Sequence, residues 1–271
     1  MIYVCIPSHN EAATVGLVLW KIRKVFEEFP REYQILVVDD GSEDPSAEVL
    51  ESYTRVLPLT VIGWKQRLGY ARSVEALLLR ALELSDRPRR DSAVLMSADL
   101  SHSAQYLPDF VRRLESGADV VVGEASRSRE AGGPGGVAGH RWARRWASLL
   151  LGRVKVQGVS DPVSGFVAFR LATLRQALGN GGSRGGTGGR EGDQGGRAAR
   201  PLVTDGWAAN AELVGRAAQT ARRVETIPVV ERYDLRHRES RIRPWETFGQ
   251  AWRARQLLRR EWAAAGERAS P

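Results

Sequence analysis

Three polar clusters, each directly after an apolar run, hold residue types that chemistry can use: Pro7-Ser8-His9-Asn10-Glu11, Asp39-Asp40-Gly41-Ser42 and Ser97-Ala98-Asp99. Their carboxylates can accept hydrogen bonds from ligand N–H and O–H groups. Carboxylate oxygen is also the donor that hard divalent cations prefer. Taken singly, each acidic residue reads equally well as a helix cap or turn former, with Ser97 and Asp99 capping a helix that begins near Ala104. Three such clusters in succession favour a binding site. A further concentration of charge is arginine: Arg127, Arg129, Arg141, Arg144 and Arg145 lie within or just before the stretch HRWARRWASLLLG. The planar guanidinium fork suits a phosphate, although a solvated basic helix face explains any one of these arginines equally well.

The elements that must position these residues follow from the hydrophobic pattern. Apolar runs at 2–7, 34–38, 58–62, 93–97 and 119–122 predict buried strands. Between them, periodic apolar residues predict helices from Val15 to Phe26, over 45–56 and from Gly69 to Leu84. Such alternation implies an α/β protein with a mostly parallel sheet and helices on both faces. In sheets of that kind ligands bind beyond the carboxyl ends of the strands, where the three clusters fall. After Gly123 the regularity fades. Asp161 to Arg170 reads as a turn into a strand, a helix is expected near 206–219 and a strand near 223–230. Residues 179–200 are low-complexity and glycine-rich, and are expected to form a disordered surface insertion. The tail, 244–271, is expected to form a basic amphipathic helix over 244–265, with Trp245, Phe248, Trp252 and Trp262 among arginines. It suits either an in-plane membrane helix or a terminal helix packed on the main domain.

Composition narrows the classes. With 271 residues, 42% hydrophobic and 27% charged, the chain can bury a full core. Its net charge of +8 suits a polyanionic partner. No helix-turn-helix, RNA-binding or zinc signature accompanies that charge, so nucleic acid is not expected. The single cysteine, Cys5, excludes a disulfide framework and a cysteine zinc site. The start enters a strand without a signal-peptide pattern, and no run is long enough for a spanning helix. A cytoplasmic protein, at most peripheral on the cytoplasmic face of a membrane, is expected.

These clusters together resemble the family 2 glycosyltransferases of GT-A fold, and among them the polyprenol-phosphate (dolichol-phosphate) mannosyl- and glucosyltransferases. The family's P-x-Y-N-E is similar to Pro7–Glu11, its V-x-D-D-G-S-x-D to Val37–Asp44, and its D-A-D-L-S-H to Ser97–His102. Its D-P-T-S-G-F-R-x-F is similar to Asp161–Phe169, and its G-E-S-K-L to Arg238–Ile242. Its G-L-G-x-A is similar to Arg67–Ala71, with the first glycine replaced by Arg67. The resemblance spans 1–243 apart from the insertion, and implies a glycosyltransferase domain over that range.

Carried over by position, the resemblance implies that Pro7, His9, Glu11, Val38 and Asp40 hold the nucleotide. Ala98 and Asp99 would meet the sugar diphosphate, and Asp99 with Ser101 a Mg2+ or Mn2+ ion. Arg241 would face the diphosphate, and Arg127, Arg145 and Ser148 the acceptor phosphate. The donor would be of the GDP-mannose or UDP-glucose class and the acceptor a polyprenyl phosphate, with inversion at the anomeric carbon. Asp99, Asp161 and Glu212 are the candidate catalytic groups, the last two as bases should the acceptor be a hydroxyl. Asp161 as a turn residue and Glu212 as a surface helix residue are the structural alternatives. Ser97 stands where the family's first aspartate would be. Two other readings follow from it and from Arg67: a transferase acting on a soluble hydroxyl, and a non-catalytic nucleotide-sugar-binding protein.

Overall fold

The computed structural model describes residues 1–126, 158–179, 202–232 and the single residue Gln256. Seven strands form one sheet: β1 (Ile2–Ser8), β2 (Tyr33–Asp39), β3 (Leu59–Gly63), β4 (Ser92–Leu95), β5 (Val120–Ala125), β6 (Val167–Arg170) and β7 (Val224–Val229), in the order β3-β2-β1-β4-β6-β5-β7. The pairings β1 with β2, β1 with β4, β2 with β3 and β5 with β7 are parallel. Among the described strands β6 alone runs antiparallel, against both β4 and β5. The sheet is therefore mostly parallel, as the alternation of elements implies.

The central strands are apolar on both faces because both faces are covered. Val4, Ile6, Ile35 and Val37 pack on one side with helices α1 (Val15–Glu28), α2 (Ser46–Thr54) and α4 (Leu107–Glu115). Tyr3, Cys5, Leu36 and Val38 pack on the other with α3 (Tyr70–Leu84), α5 (Leu171–Ala177) and α6 (Trp207–Thr220). Helix α1 buries Val15, Val18, Leu19, Ile22 and Phe26, one stripe at helical spacing. Helix α4 does the same with Leu107, Phe110, Val111 and Leu114, and carries Pro108 in its first turn, where a missing N–H costs nothing.

Register brings the clusters together. Ser8 pairs with Asp39, and Cys5 with Leu95, so β1, β2 and β4 end side by side. β1 lies between β2 and β4, and the chain leaves it first to one side and later to the other. That is the topological switch point at which open sheets bind ligands.

Some expectations change. β4 ends at Leu95 rather than residue 97, leaving Met96 and Ser97 outside the strand. A 3-10 turn, Ala104–Tyr106, precedes α4, and its cap is Ser103, whose hydroxyl accepts from the Gln105 amide. Ser97 and Asp99 therefore do not cap this helix. Helix α5 follows β6 without a loop, which the apolar pattern did not signal. Residues 180–200 of the insertion, and the tail apart from Gln256, lie outside the described residues. Among the described residues no helix is long and apolar enough to cross a membrane.

Candidate active site

The loops after β1 and β2 are interlocked by side chains. Asn10 adopts a left-handed backbone (φ 55°), a conformation asparagine tolerates. Its amide donates to Ser42 Oγ at 2.8 Å, and its Oδ1 accepts from the amides of Glu43 (2.6 Å) and Asp44 (3.3 Å). The Glu11 amide donates to Ser46 Oγ at 2.9 Å, and the Ala12 amide to Asp44 Oδ2 at 3.1 Å. Glu11 Oε2 accepts from the Thr14 hydroxyl at 2.8 Å. Asp39 accepts from both the amide and the hydroxyl of Ser42.

Asp40 fixes a third loop. It is only 4% exposed. Its Oδ1 accepts from the Leu68 amide at 2.6 Å and its Oδ2 from the Gly69 amide at 3.0 Å, with Arg67 Nε 4.0 Å away. Gly41 lets that loop cross. A Cβ there would lie 2.7 Å from the Arg67 amide nitrogen, and φ is +62°. Pro7 is half-buried beside these groups, whereas the Val38 side chain is wholly buried in the core. Val38 can thus meet a ligand only through its backbone.

The loop after β4 carries Asp99, which is half-buried. Asp99 Oδ1 accepts from the Ser101 amide (3.1 Å) and the Ser101 hydroxyl (2.5 Å), while Leu100 takes a left-handed backbone (φ 64°). Ala98 is buried. The Ser97 amide donates to His102 Nδ1 at 3.1 Å. His102 closes the Ser97–His102 motif, and its place in the sequence alone suggests no role for the ring.

Beside this loop lies the Asp161–Phe169 segment. Glu124, at the end of β5, holds its start: Oε1 accepts from the amides of Ser160 (2.6 Å) and Asp161 (3.3 Å), and Oε2 from the Ser160 hydroxyl (2.7 Å). Ser164 donates to the Gly123 carbonyl, and Asn210 Nδ2 to the Val163 carbonyl. The Tyr70 hydroxyl donates to Asn210 Oδ1 at 2.9 Å. A Cβ on Gly165 would sit 3.4 Å from Tyr70 Oη and 3.5 Å from His102 Cε1. Tyr70 as a residue is half-buried, but its hydroxyl is enclosed. Burial pushes its pKa up; the Asn210 hydrogen bond opposes this, and the negative charges of Asp205 and Asp99 reinforce it.

Two carboxylates behave as supports. Asp205 Oδ1 accepts from the Ala71 amide at 2.8 Å and so caps α3, a role with no local sequence signal because the two residues lie 134 apart. Glu212, expected either as a base or on a helix surface, is 0% exposed. It accepts from the Thr204 amide (2.9 Å) and hydroxyl (2.7 Å), and pairs with Arg216 at 2.5 Å. The surface position is thereby corrected: Glu212 anchors the strand of chain that presents Asp205. Arg127, Arg145, Ser148 and Arg241 lie outside the described residues.

Among the described residues no group of three or more His, Cys, Asp or Glu side chains converges to hold a metal ion. That donor set still fits Mg2+ or Mn2+ in one arrangement. Mg2+ is commonly held by one or two carboxylates together with substrate phosphates and water. Asp99, with Ser101 beside it, offers that single carboxylate.

Several known proteins are similar to this chain. The chain is 28% identical over 170 residues to a dolichol-phosphate mannosyltransferase of Pyrococcus furiosus, covering 62% of this chain and 45% of that one. It is 29% identical over 153 residues to an undecaprenyl-phosphate 4-deoxy-4-formamido-L-arabinose transferase of Pseudomonas paraeruginosa, covering 56% of this chain and 42% of the relative. The chain thus spans less than half the length of these curated relatives. Its fold is similar to that of glucosyl-3-phosphoglycerate synthase from Mycobacterium tuberculosis, crystallised with Mn2+, UDP and phosphoglyceric acid: TM-score 0.56, 18% identity, 95% of this chain and 76% of that one. The sheet and its layers are those of the GT-A glycosyltransferases. The family Glycosyl transferase family 2 matches residues 3–178, well over half of the sequence, and the chain belongs to that family.

Proposed function

We propose that this chain is an inverting glycosyltransferase that moves a sugar from a nucleoside-diphosphate sugar to a polyprenyl phosphate. The observation that carries the reading is the alignment of three strand-end clusters, with half-buried Asp99 at the switch point. The two curated relatives, named for dolichol-phosphate and undecaprenyl-phosphate transfer, support the choice of acceptor.

In this reading the first loops, with Pro7, His9, Glu11, the Val38 backbone and Asp40, surround the nucleotide of a GDP-mannose- or UDP-glucose-class donor. Asp40 acts by holding the Leu68–Gly69 amides in place as much as by touching the ligand. Ala98 and Asp99 face the sugar diphosphate, and Arg241 places a cation on the leaving group. Mg2+ or Mn2+, when bound, supplies charge neutralisation of the departing diphosphate. Asp99 holds the ion and Ser101 holds Asp99. Arg127, Arg145 and Ser148 grip the acceptor phosphate, whose oxygen is already anionic and needs no general base. That oxygen bonds to the anomeric carbon from the face opposite the diphosphate, and the electron pair of the broken C–O bond leaves with the nucleotide. The reaction takes place at the cytoplasmic membrane face, with the protein bound peripherally. For a hydroxyl acceptor Asp161 is the base, since Glu212 is already fully engaged.

A panel of labelled nucleotide sugars, offered with polyprenyl phosphate and separately with soluble glycosyl acceptors, tests this. Product in the lipid phase, with the anomeric centre inverted by NMR, is expected. Turnover only with soluble acceptors contradicts the acceptor assignment. Saturable nucleotide binding without any transfer contradicts catalysis.

A further inference from the structure

Three segments of the candidate site meet on one imidazole. His102 Nδ1 accepts from the Ser97 amide at 3.1 Å, which fixes the backbone at the start of the Asp99 loop. The ring lies flat on Phe166 of the Asp161–Phe169 segment, centroids 4.8 Å apart and planes 11° apart. Its Nε2 faces Glu231 Oε1 at 3.9 Å, and both side chains are buried. Glu231 belongs to the stretch just after β7, which is tied to the same loop by the Arg232 amide donating to the Ser101 carbonyl at 2.9 Å. Because Nδ1 accepts, the neutral ring carries its proton on Nε2, the atom turned towards Glu231.

We infer that His102 is a positioning residue for Asp99: by accepting the Ser97 amide while clamped between Phe166 and Glu231, it sets the loop that presents the carboxylate to the cation and diphosphate. The inference rests on the donor site proposed above. Ser97 brings no carboxylate of its own, so the Asp99 carboxylate has no aspartate at position 97 to share the ion. Its orientation then depends on the loop, and the loop is held at both ends: by Ser101 on Asp99, and by His102 on Ser97. Residues that orient a metal ligand without touching the metal typically matter by about 10–100-fold in affinity.

Two substitutions divide the functions of the ring. His102→Asn places an amide oxygen where histidine carries Nδ1 and keeps the acceptor while losing the stack. His102→Phe keeps the stack and loses the acceptor. Mn2+ binding in the presence of UDP or GDP, read by the electron paramagnetic resonance of free Mn2+, is compared across both variants and the wild type, with melting temperatures alongside. His102→Phe is expected to weaken Mn2+ binding by about tenfold or more, and His102→Asn to remain within about threefold of wild type. In turnover the same pattern is expected in the Mn2+ concentration that gives the half-maximal rate. Should His102→Phe fail to fold, His102→Leu, which also lacks the acceptor, takes its place. Equal Mn2+ binding by wild type and the acceptor-less variant, or an equal loss in His102→Asn, overturns the assignment. A wild type that shows no nucleotide-dependent Mn2+ binding overturns the donor-site reading itself, and the role of His102 with it.

Discussion

Asp40 and Glu212 are both buried carboxylates, yet their partners give them different work. Asp40 meets two amides of an exposed loop, and its pairing shapes a surface. Asp40→Asn removes the charge from those hydrogen bonds, which are stronger than neutral ones. Nucleotide affinity, measured by calorimetry, is expected to fall about tenfold, with a stability loss of only ~1–2 kcal/mol. Glu212 faces Arg216 and the 203–204 backbone inside the molecule. Glu212→Ala removes one partner of a buried ion pair, and denaturant unfolding is expected to show a loss of about 3–5 kcal/mol. A variant as stable as wild type would mean that the pair does not anchor the loop. At this scale the sequence showed the acidic residues at the strand ends, because cluster and strand are contiguous. It concealed the partners of Tyr70, His102 and Asp205, which lie at separations such as 140 residues for Tyr70 and Asn210. No local pattern encodes such a meeting.

Elements set the distances that residues exploit. The tight crossing of the loop before α3 over Gly41 is one case: φ is +62° and a Cβ would meet backbone at 2.7 Å. Gly41→Ala is expected to cost about 1–3 kcal/mol in stability and to weaken nucleotide binding more than Asp40→Asn does, since the whole loop must shift. The N-terminus of α3 is another, where Asp205 supplies the cap. Asp205→Ala should lower stability by ~1 kcal/mol, read from the midpoint of urea unfolding, and an unchanged midpoint would remove the cap from the account. Buried strands such as β1 and β2 were legible as unbroken apolar runs, and α1 as one apolar stripe. The antiparallel direction of β6 was not, because its three buried residues, Val167, Ala168 and Phe169, look alike in either direction. Helix α5 was not, because it continues from β6 without the glycine, proline or cap that marks a boundary.

Among the described residues two apolar layers, one on each face of the sheet, lie beneath the strand ends. Cys5 lies in the middle of that core, on β1 against α3, fully buried, and burial pushes its thiol pKa well up. The raised pKa keeps it protonated at pH 8, and the thiolate is the reactive form. Native protein is therefore expected to resist iodoacetamide at pH 8, with labelling by mass spectrometry appearing only on unfolding. Prompt labelling of the folded protein would show that the sheet opens. Above the core lie the strand ends, at which the proposed reaction moves a sugar onto a lipid phosphate through Asp99. The most direct measurement is the partition of label from a nucleotide sugar into the organic phase with polyprenyl phosphate and Mn2+, for wild type and Asp99→Ala in parallel. Labelled lipid is expected from wild type, lost on chelation and abolished in Asp99→Ala. Labelled lipid at the same rate from both proteins, or none from wild type with any donor, would contradict it.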